Sequence, residues 1–393
     1  MIMLKKQFKF KLLLLIGLIC VGFIGCAGGK SPQMLAHIEF CNRNYDDAIS
    51  YYKQVVDKSF EKKTKDYVIH LLNYGILNYY GGYLNEAYKS FWAAYQVDAA
   101  DIGTASKVTE LIKSGSHRVY KMEKREKAIL HFYLGMIFCM QQDYEKALVE
   151  FGKVHLIEEQ KPKLPLVTFM SGKTYELFDK LDDAKVEYNA VQQITQKDPE
   201  PYSYLELAQT FSTLQKQDEF EKNLAEYNRI KSPDMETVTS IPIRGLKKAL
   251  VLIDIDSAKN IDKCDIYMNG KFAGCAEPIE TYSPGVTAGE VMRKMMKEVA
   301  GALAREAIKK IPIFGAFSSL IFGSNSDYDN RNWFYAPAVT YYFVGYFHDD
   351  IAEIGVKLFK KGKSKGDFLF NASYKPVVKI NNQLILPVRY QGK

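Results

Sequence analysis

Gly75-Ile-Leu-Asn-Tyr-Tyr-Gly-Gly-Tyr-Leu-Asn-Glu-Ala87-Tyr-Lys-Ser-Phe91-Trp-Ala-Ala94 is the stretch from which the fold is read. A glycine is followed twelve positions later by an alanine, four further on by an aromatic, and three after that by another small residue. Gly135, Ala147, Phe151 and Val154 repeat those offsets, and so do Gly172, Ala184, Tyr188 and Val191. Weaker copies start at Ala36, with Ala48, Tyr52 and Val55, and at Ala208, with Phe220 and Leu224. The spacing predicts paired helices: the two small residues lie where the helices cross, so the backbones can approach, and the aromatic fills the gap between one pair and the next. Turn signals fall between the paired helices, at Asn44-Tyr45-Asp46-Asp47, Gly81-Gly82, Gln142-Asp143 and Asp182-Asp183. Pro162, Pro165, Pro199 and Pro201 mark helix starts or the loops before them.

This pattern resembles the tetratricopeptide repeat (TPR), two antiparallel helices per unit. The expected architecture is mainly α: a TPR-like solenoid of about five helical hairpins over residues 34–232, with an insertion near 99–123 carrying a helix at Ser106–Lys113. Such hairpins stack into a curved array with a concave groove lined by the first helices. The resemblance implies lining positions three before, one after and four after each reference glycine. These are Leu72, Ile76 and Tyr79, then Phe132, Met136 and Cys139, then Phe169, Lys173 and Glu176, then Leu205, Gln209 and Ser212. The first two sets are apolar and the last two more polar. A groove apolar at one end suits an amphipathic helix or an extended peptide of a protein partner. The alternative is that the insertion or the C-terminal half already fills it.

The N-terminus carries Lys5, Lys6, Lys9 and Lys11 ahead of an apolar run from Leu12 to Ile24. That run is short for a membrane span and suits the core of a signal peptide. It ends in Phe23-Ile24-Gly25-Cys26, which resembles the bacterial lipobox, with Phe23 in place of the usual Leu. The resemblance implies cleavage after residue 25, a diacylglyceryl group on the Cys26 thiol, and membrane attachment through that lipid. Ala27 after the Cys, by resemblance to Gram-negative lipoprotein sorting, implies the outer membrane, facing the periplasm. Residues 26–33 read as a tether.

The net charge of +7 on 393 residues includes those four N-terminal lysines. The remainder is too near neutrality to carry the electrostatic footprint of a nucleic-acid binder. Of six cysteines, Cys41 and Cys139 fall in helical patterns and read as small buried hydrophobes.

Residues 240–393 read as a smaller α/β domain with a largely antiparallel sheet and one long helix. Ala249–Asp256 is an apolar run of strand length. Asn269-Gly270 between β-formers predicts a type I′ hairpin. Counting outward from that turn, Cys264 faces Cys275, and an oxidising compartment makes a cross-strand disulfide between them the expectation. The pair falls at the wider, hydrogen-bonded type, a poorer site for a bridge. The hairpin also resembles the PEGA repeat of surface-layer type. Thr287–Lys310 is an amphipathic helix that packs on the sheet or lies on an anionic membrane. Residues 311–322 are apolar, either buried or a contact patch. Further strands are expected at Ala338–Phe347, Glu353–Lys360, Asp367–Tyr374, Val377–Ile380 and Leu384–Tyr390, with turns at Lys361–Gly366 and Asn381-Asn382.

No chemistry stands out. Gly362-Lys363-Ser364 lacks the rest of a phosphate loop, and His348-Asp349-Asp350 with Glu353 reads as a solvated turn before it reads as a metal site. No catalytic residue, metal ligand or cofactor is nominated, and an enzyme is not expected. The stretch from Tyr120 to Glu150, the run Ala302-Leu-Ala-Arg-Glu-Ala307, and Asp329, Arg331, Trp333 and Pro337 resemble a family of uncharacterised bacterial lipoproteins with TPR-like repeats. Members of that family resemble gene neighbours of cell-wall-synthase activators. The resemblance implies a lipid-anchored envelope scaffold or adaptor that binds a protein partner through its groove. The alternative is a lipoprotein that binds peptidoglycan, another glycan or a peptide.

Overall fold

The computed structural model describes residues 31–62, 64–99, 120–158, 164–241, 247–255, 261–279, 333, 335, 337, 339–371, 377–380 and 382–390. Cys26, the tether before residue 31, most of the insertion, the helix expected at Thr287–Lys310, the apolar segment 311–322, Asp329 and Arg331 lie outside the described residues.

Five helical hairpins follow one another: α1 (Pro32–Cys41) with α2 (Tyr45–Glu61), α3 (Tyr67–Tyr80) with α4 (Leu84–Ala99), α5 (Lys124–Met140) with α6 (Tyr144–Glu158), α7 (Pro165–Leu177) with α8 (Leu181–Ile194), and α9 (Pro201–Thr213) with α10 (Gln217–Ile230). Pro32, Pro165 and Pro201 open their helices, where the missing N–H costs nothing. Asp182 and Asp183, expected in a turn, sit in the first turn of α8, where carboxylates favour the helix dipole. The turn itself is at 178–180. Each of the five helix–helix turns holds one residue in the left-handed region: Arg43, Gly82, Gln142, Asp179 and Gln215, with φ of 65°, 76°, 64°, 59° and 57°.

The repeated glycines sit at helix crossings. A Cβ on Gly75 or Gly135 would lie 2.5 Å from the ring of Phe91 or Phe151, and one on Gly172 would lie 2.8 Å from the ring of Tyr188. The aromatic therefore packs first on the glycine of its own hairpin, a correction to its expected place between hairpins. Phe91 also stacks on Tyr133 of the next hairpin, with centroids 5.8 Å apart.

The C-terminal part forms one eight-stranded sheet: β1 (Lys247–Ile255), β2 (Lys263–Met268), β3 (Lys271–Ile279), β4 (Val339–Phe347), β5 (Glu353–Lys360), β6 (Lys363–Asn371), β7 (Val378–Ile380) and β8 (Gln383–Tyr390). The order is β6-β5-β2-β3-β4-β1-β8-β7. Every pairing is antiparallel except β1 with β8. Phe368 of β6 meets Tyr390 of β8, although the two strands are far apart in that order, so the sheet curls back on itself.

Two of the hairpin turns use two residues of positive φ, Asn269-Gly270 between β2 and β3 and Lys361-Gly362 between β5 and β6. The second turn is tighter than expected, and β6 already starts at Lys363. In the first hairpin the register shifts after Ile266: Ile266 pairs with Gly274 and Tyr267 with Phe272, which leaves Ala273 as an extra residue. This corrects the expected disulfide. Cys264 pairs with Ala276, and Cys275 pairs with Asp265. A shift of one residue turns Cys275 to the face opposite Cys264. Both remain thiols.

Candidate functional site

The concave side of the helical array is the surface that the repeat builds for binding. The chain's own sheet occupies it. Along β1, side chains alternate between faces, so Lys248, Leu250, Leu252 and Asp254 share one face. Their register partners on β4 are Tyr346, Val344, Tyr342 and Thr340, and on β8 Gln383, Ile385, Pro387 and Arg389. This face lies on the first helices α3, α5, α7 and α9, as its individual contacts show.

At the polar end, four charged side chains interlock. The Lys173 ammonium on α7 donates to Glu206 on α9 at 2.7 Å and to Glu176 at 3.1 Å. Lys248 on β1 donates to Glu176 at 2.7 Å and also to Glu206. Tyr188 donates to Glu176 at 2.9 Å, Tyr346 to Glu206 at 2.9 Å, and Gln383 to Glu176 at 3.0 Å. Two positive and two negative charges cancel, and each carboxylate has several donors, the condition under which buried ions are tolerated. Burial would raise the Glu176 carboxyl, but Lys173 and Lys248 overcome it and hold the group well below the usual carboxylate range. Burial would lower Lys173, and Glu176 and Glu206 reverse that, so its pKa is raised.

At the apolar end, Asp254 is the anchor. Its carboxylate accepts from Tyr133 on α5 at 2.6 Å, from Tyr80 on α3, and from Thr340 on β4. Between the two ends the contacts are aromatic: Phe169 meets Tyr342 edge-on at 4.9 Å, and Tyr202 meets Tyr342 at 5.1 Å and Phe343 at 5.8 Å. Tyr202 also donates to the Cys275 carbonyl. Beyond the sheet, the Trp333 backbone N–H donates to Glu126 at 3.0 Å and its ring meets Phe91. Tyr335 packs on Phe40 at 4.9 Å, and its N–H reaches Asn73 at 3.3 Å. Trp333 is thus a packing corner.

The groove residues expected to meet a partner are accordingly closed off. Leu72, Ile76, Tyr79, Phe132, Met136, Cys139, Phe169, Lys173 and Leu205 are all buried, and Lys173 has no exposed surface at all. Gln209 and Ser212 are half-buried. An open groove is therefore corrected to a filled one: the C-terminal sheet, Trp333 and Tyr335 are its occupants. Burial lifts the Cys139 thiol to about 11, so this cysteine is inert packing. His348 and Asp349 lie in a bend, and Asp350 pairs with Lys247. Among the described residues no group of three His, Cys, Asp or Glu side chains is placed to hold a metal ion, and no helix is long and apolar enough to cross a membrane.

The sequence reading missed Lys248, Glu206, Asp254, Tyr80 and Tyr133. One signal was available: a Lys and an Asp on the same face of an otherwise apolar strand, and a polar end to the groove, each in need of a countercharge.

No family model and no curated protein matches the chain. Solved structures similar to it are helical-repeat proteins. A crystal structure of MamA shares 16% identity, covering 49% of this chain and 92% of that one, with a TM-score of 0.36. A tetratricopeptide repeat protein from Parabacteroides merdae ATCC 43184 shares 15% identity over 51% of this chain and 67% of that one, at 0.37. TPR-like repeats of a Podosopora anserina putative kinesin light chain share 13% identity over 51% and 92%, at 0.39. At these TM-scores the matches carry no argument about function. The repeat is established by the five helix pairs and their glycine crossings.

Proposed function

We propose that this chain is a lipid-anchored scaffold of the bacterial cell envelope, attached through Cys26 to the periplasmic side of the outer membrane, acting by binding and not by catalysis. In this reading the helical array and the sheet act as one rigid body, and a protein partner docks on its outside. The observation that carries the reading is the interlock of Lys173, Glu176, Glu206 and Lys248. A partner entering the groove must first separate these groups, and stripping one side of a buried pair costs about 3–5 kcal/mol. The outer surface asks no such cost. Val149 and Leu156 on α6 and Val186 on α8 are 58%, 76% and 60% exposed there, and Val149 and Val186 stand at the same offset from Gly135 and Gly172.

The test is capture of the full lipidated chain from detergent-solubilised membranes, followed by lysine cross-linking and mass mapping. A discrete protein partner cross-linked to outward lysines such as Lys89 and Lys146 supports the reading. Failure to retain any protein, or cross-links confined to residues that the sheet covers, defeats it. Cys26→Ala should move the protein from the membrane to the soluble fraction, and unchanged membrane retention removes the anchor from the proposal.

A further inference from the structure

Lys357-Leu-Phe-Lys-Lys-Gly-Lys-Ser-Lys365 closes the β5–β6 hairpin and holds five lysines in nine residues. Residues 361–365 are exposed one after another, so the tip projects from the sheet. We propose that this tip is a membrane contact: Lys361, Lys363 and Lys365 bind the anionic headgroups of the bilayer that holds the Cys26 lipid, and so orient the body on it. The inference rests on the anchor of the scaffold reading and adds a second point of attachment to it.

The tip is built to hold its charges together. Its turn has two residues of positive φ, Lys361 at 50° and Gly362 at 72°, so the strands close without slack. Leu358 pairs with Gly366 and Phe359 with Ser364, which leaves Lys365 as the extra residue of a bulge. A bulge re-aims its side chain away from the regular ladder. The Lys365 carbonyl accepts from the Tyr390 hydroxyl at 3.3 Å, which ties the bulge to β8. Two acids offset part of the charge: Asp367 pairs with Lys357 at 3.6 Å, and Asp262 accepts from the Lys361 backbone N–H at 2.6 Å. Ammonium groups on long stems suit diffuse attraction to a charged plane, and each lysine near an anionic bilayer strengthens binding about fivefold. Leu369, 65% exposed on β6, adds an apolar contact for the bilayer interface.

The place of the tip selects the bilayer as its partner. Arg43, in the turn after α1, lies over the Phe368 ring of β6 at 4.1 Å. Phe40 and Cys41, at the end of α1, line one cavity with Lys365. The ten residues of α1 span about 15 Å. Cys26 lies five residues before Ser31, and five extended residues reach at most about 18 Å. A lipid on Cys26 therefore keeps this corner of the molecule within about 35 Å of the bilayer. A lipid chain and a basic patch together give stable attachment where one acyl chain alone gives marginal binding.

The experiment puts the full lipidated chain in phosphatidylcholine vesicles, with or without phosphatidylglycerol as about a third of the lipid, and maps lysine acetylation rates by mass. Lys361, Lys363 and Lys365 should react about threefold or more slowly in the anionic vesicles, and about 0.5 M salt should abolish the difference. Lys89 and Lys146, 67% and 64% exposed on α4 and α6, should react alike in both. K361Q/K363Q keeps Lys365 as a reporter and should cut its protection by about half or more. Glutamine already takes positive φ at Gln142 and Gln215, so the turn is retained, and an unchanged melting temperature checks this. Flotation with the neutral vesicles reads the anchor separately. A chain that floats with them but shows equal acetylation in both lipids keeps the anchor and overturns the inference. A chain that floats only with the anionic vesicles overturns the anchor and supports the tip. Wild-type protection of Lys365 in K361Q/K363Q overturns the inference, as does protection by soluble polyglutamate and not by the anionic bilayer.

Discussion

The hydroxyl of Tyr133, midway along α5, donates to the carboxylate of Asp254 on β1 over 2.6 Å. The two residues are far apart in sequence, and the contact ties the middle of the helical array to the centre of the sheet. Asp254 is buried and accepts from three hydroxyls in all. Asp254→Ala would leave those hydroxyls without their acceptor and should cost about 3 kcal/mol, whereas Tyr133→Phe, which removes one donor of three, should cost about 1 kcal/mol. Urea unfolding of both variants and of the double mutant checks this. The double mutant should lose no more than Asp254→Ala alone, because the two changes remove the same bond.

The interlock at the other end makes a prediction about charge parity. Lys248→Met leaves Glu176 and Glu206 with one counter-ion between them and should destabilise by about 3–5 kcal/mol. Lys248→Met combined with Glu206→Gln restores neutrality and should be less damaging than the single change. Denaturation midpoints rank the wild type and the two variants, and a double variant less stable than Lys248→Met alone refutes the compensation.

Two buried glutamates act in opposite pH windows. Glu200 caps α9, and burial raises its pKa to about 7 from an ordinary 4.5, against the bonds it accepts from Tyr202 and Ser203. The folded state therefore binds a proton that the unfolded state releases. The stabilisation is complete below pH 4.5 and is lost as pH rises through about 7. It amounts to about 3 kcal/mol. Glu176 runs the other way. Its pKa is lowered in the fold, so its contribution is present above the ordinary carboxylate range and disappears only in strong acid. Glu200→Gln should flatten the pH dependence between pH 5 and 8 and leave acid unfolding intact, as urea midpoints across pH would show.

Cys264 and Cys275 should resist thiol reagents in the native protein and react after unfolding, since burial raises both and puts Cys275 at about 11. Peptide mapping without reductant should find no bridge between them. A Cys264–Cys275 disulfide-linked peptide would contradict the bulge at Ala273.

Gly135→Ala drives a methyl to within 2.5 Å of the Phe151 ring, and Phe151 is itself fully buried. Overpacking of this kind should cost about 1–3 kcal/mol. The same change at Gly152, where an added Cβ meets nothing within 4 Å, should be neutral or slightly stabilising. Thermal melts of the two variants separate the crossing glycine from the ordinary one.

Gly75, Gly135 and Gly172 were legible because the constraint on each is local: the two helices of a hairpin are consecutive in the sequence, and the periodicity of each is its own record. Most strand edges were legible for the same reason, β6 excepted, which starts at Lys363 and not at Asp367. The filling of the groove was not, because it depends on Lys248 meeting Glu206 and Asp254 meeting Tyr133, pairings that no periodicity encodes. The register of the β2–β3 hairpin failed at one residue. Asn269-Gly270 fixes the turn, but Ala273 is an ordinary strand residue, and nothing in its chemistry announces that it stands unpaired. The contact of Arg43 with Phe368 escaped notice as well, since the ring lies on β6 more than three hundred residues away.

The parallel pairing of β1 with β8 has a consequence for assembly. β1 is the first strand made, yet its two neighbours are β4 and β8, which lie beyond residue 338. Until those strands pair with β1, the sheet surfaces on which Tyr80, Phe169 and Tyr202 pack are incomplete. Closure is therefore a late and highly non-local event. A chain cut short before Gln383 would keep its helices and still offer a raw edge of β1 to any strand nearby.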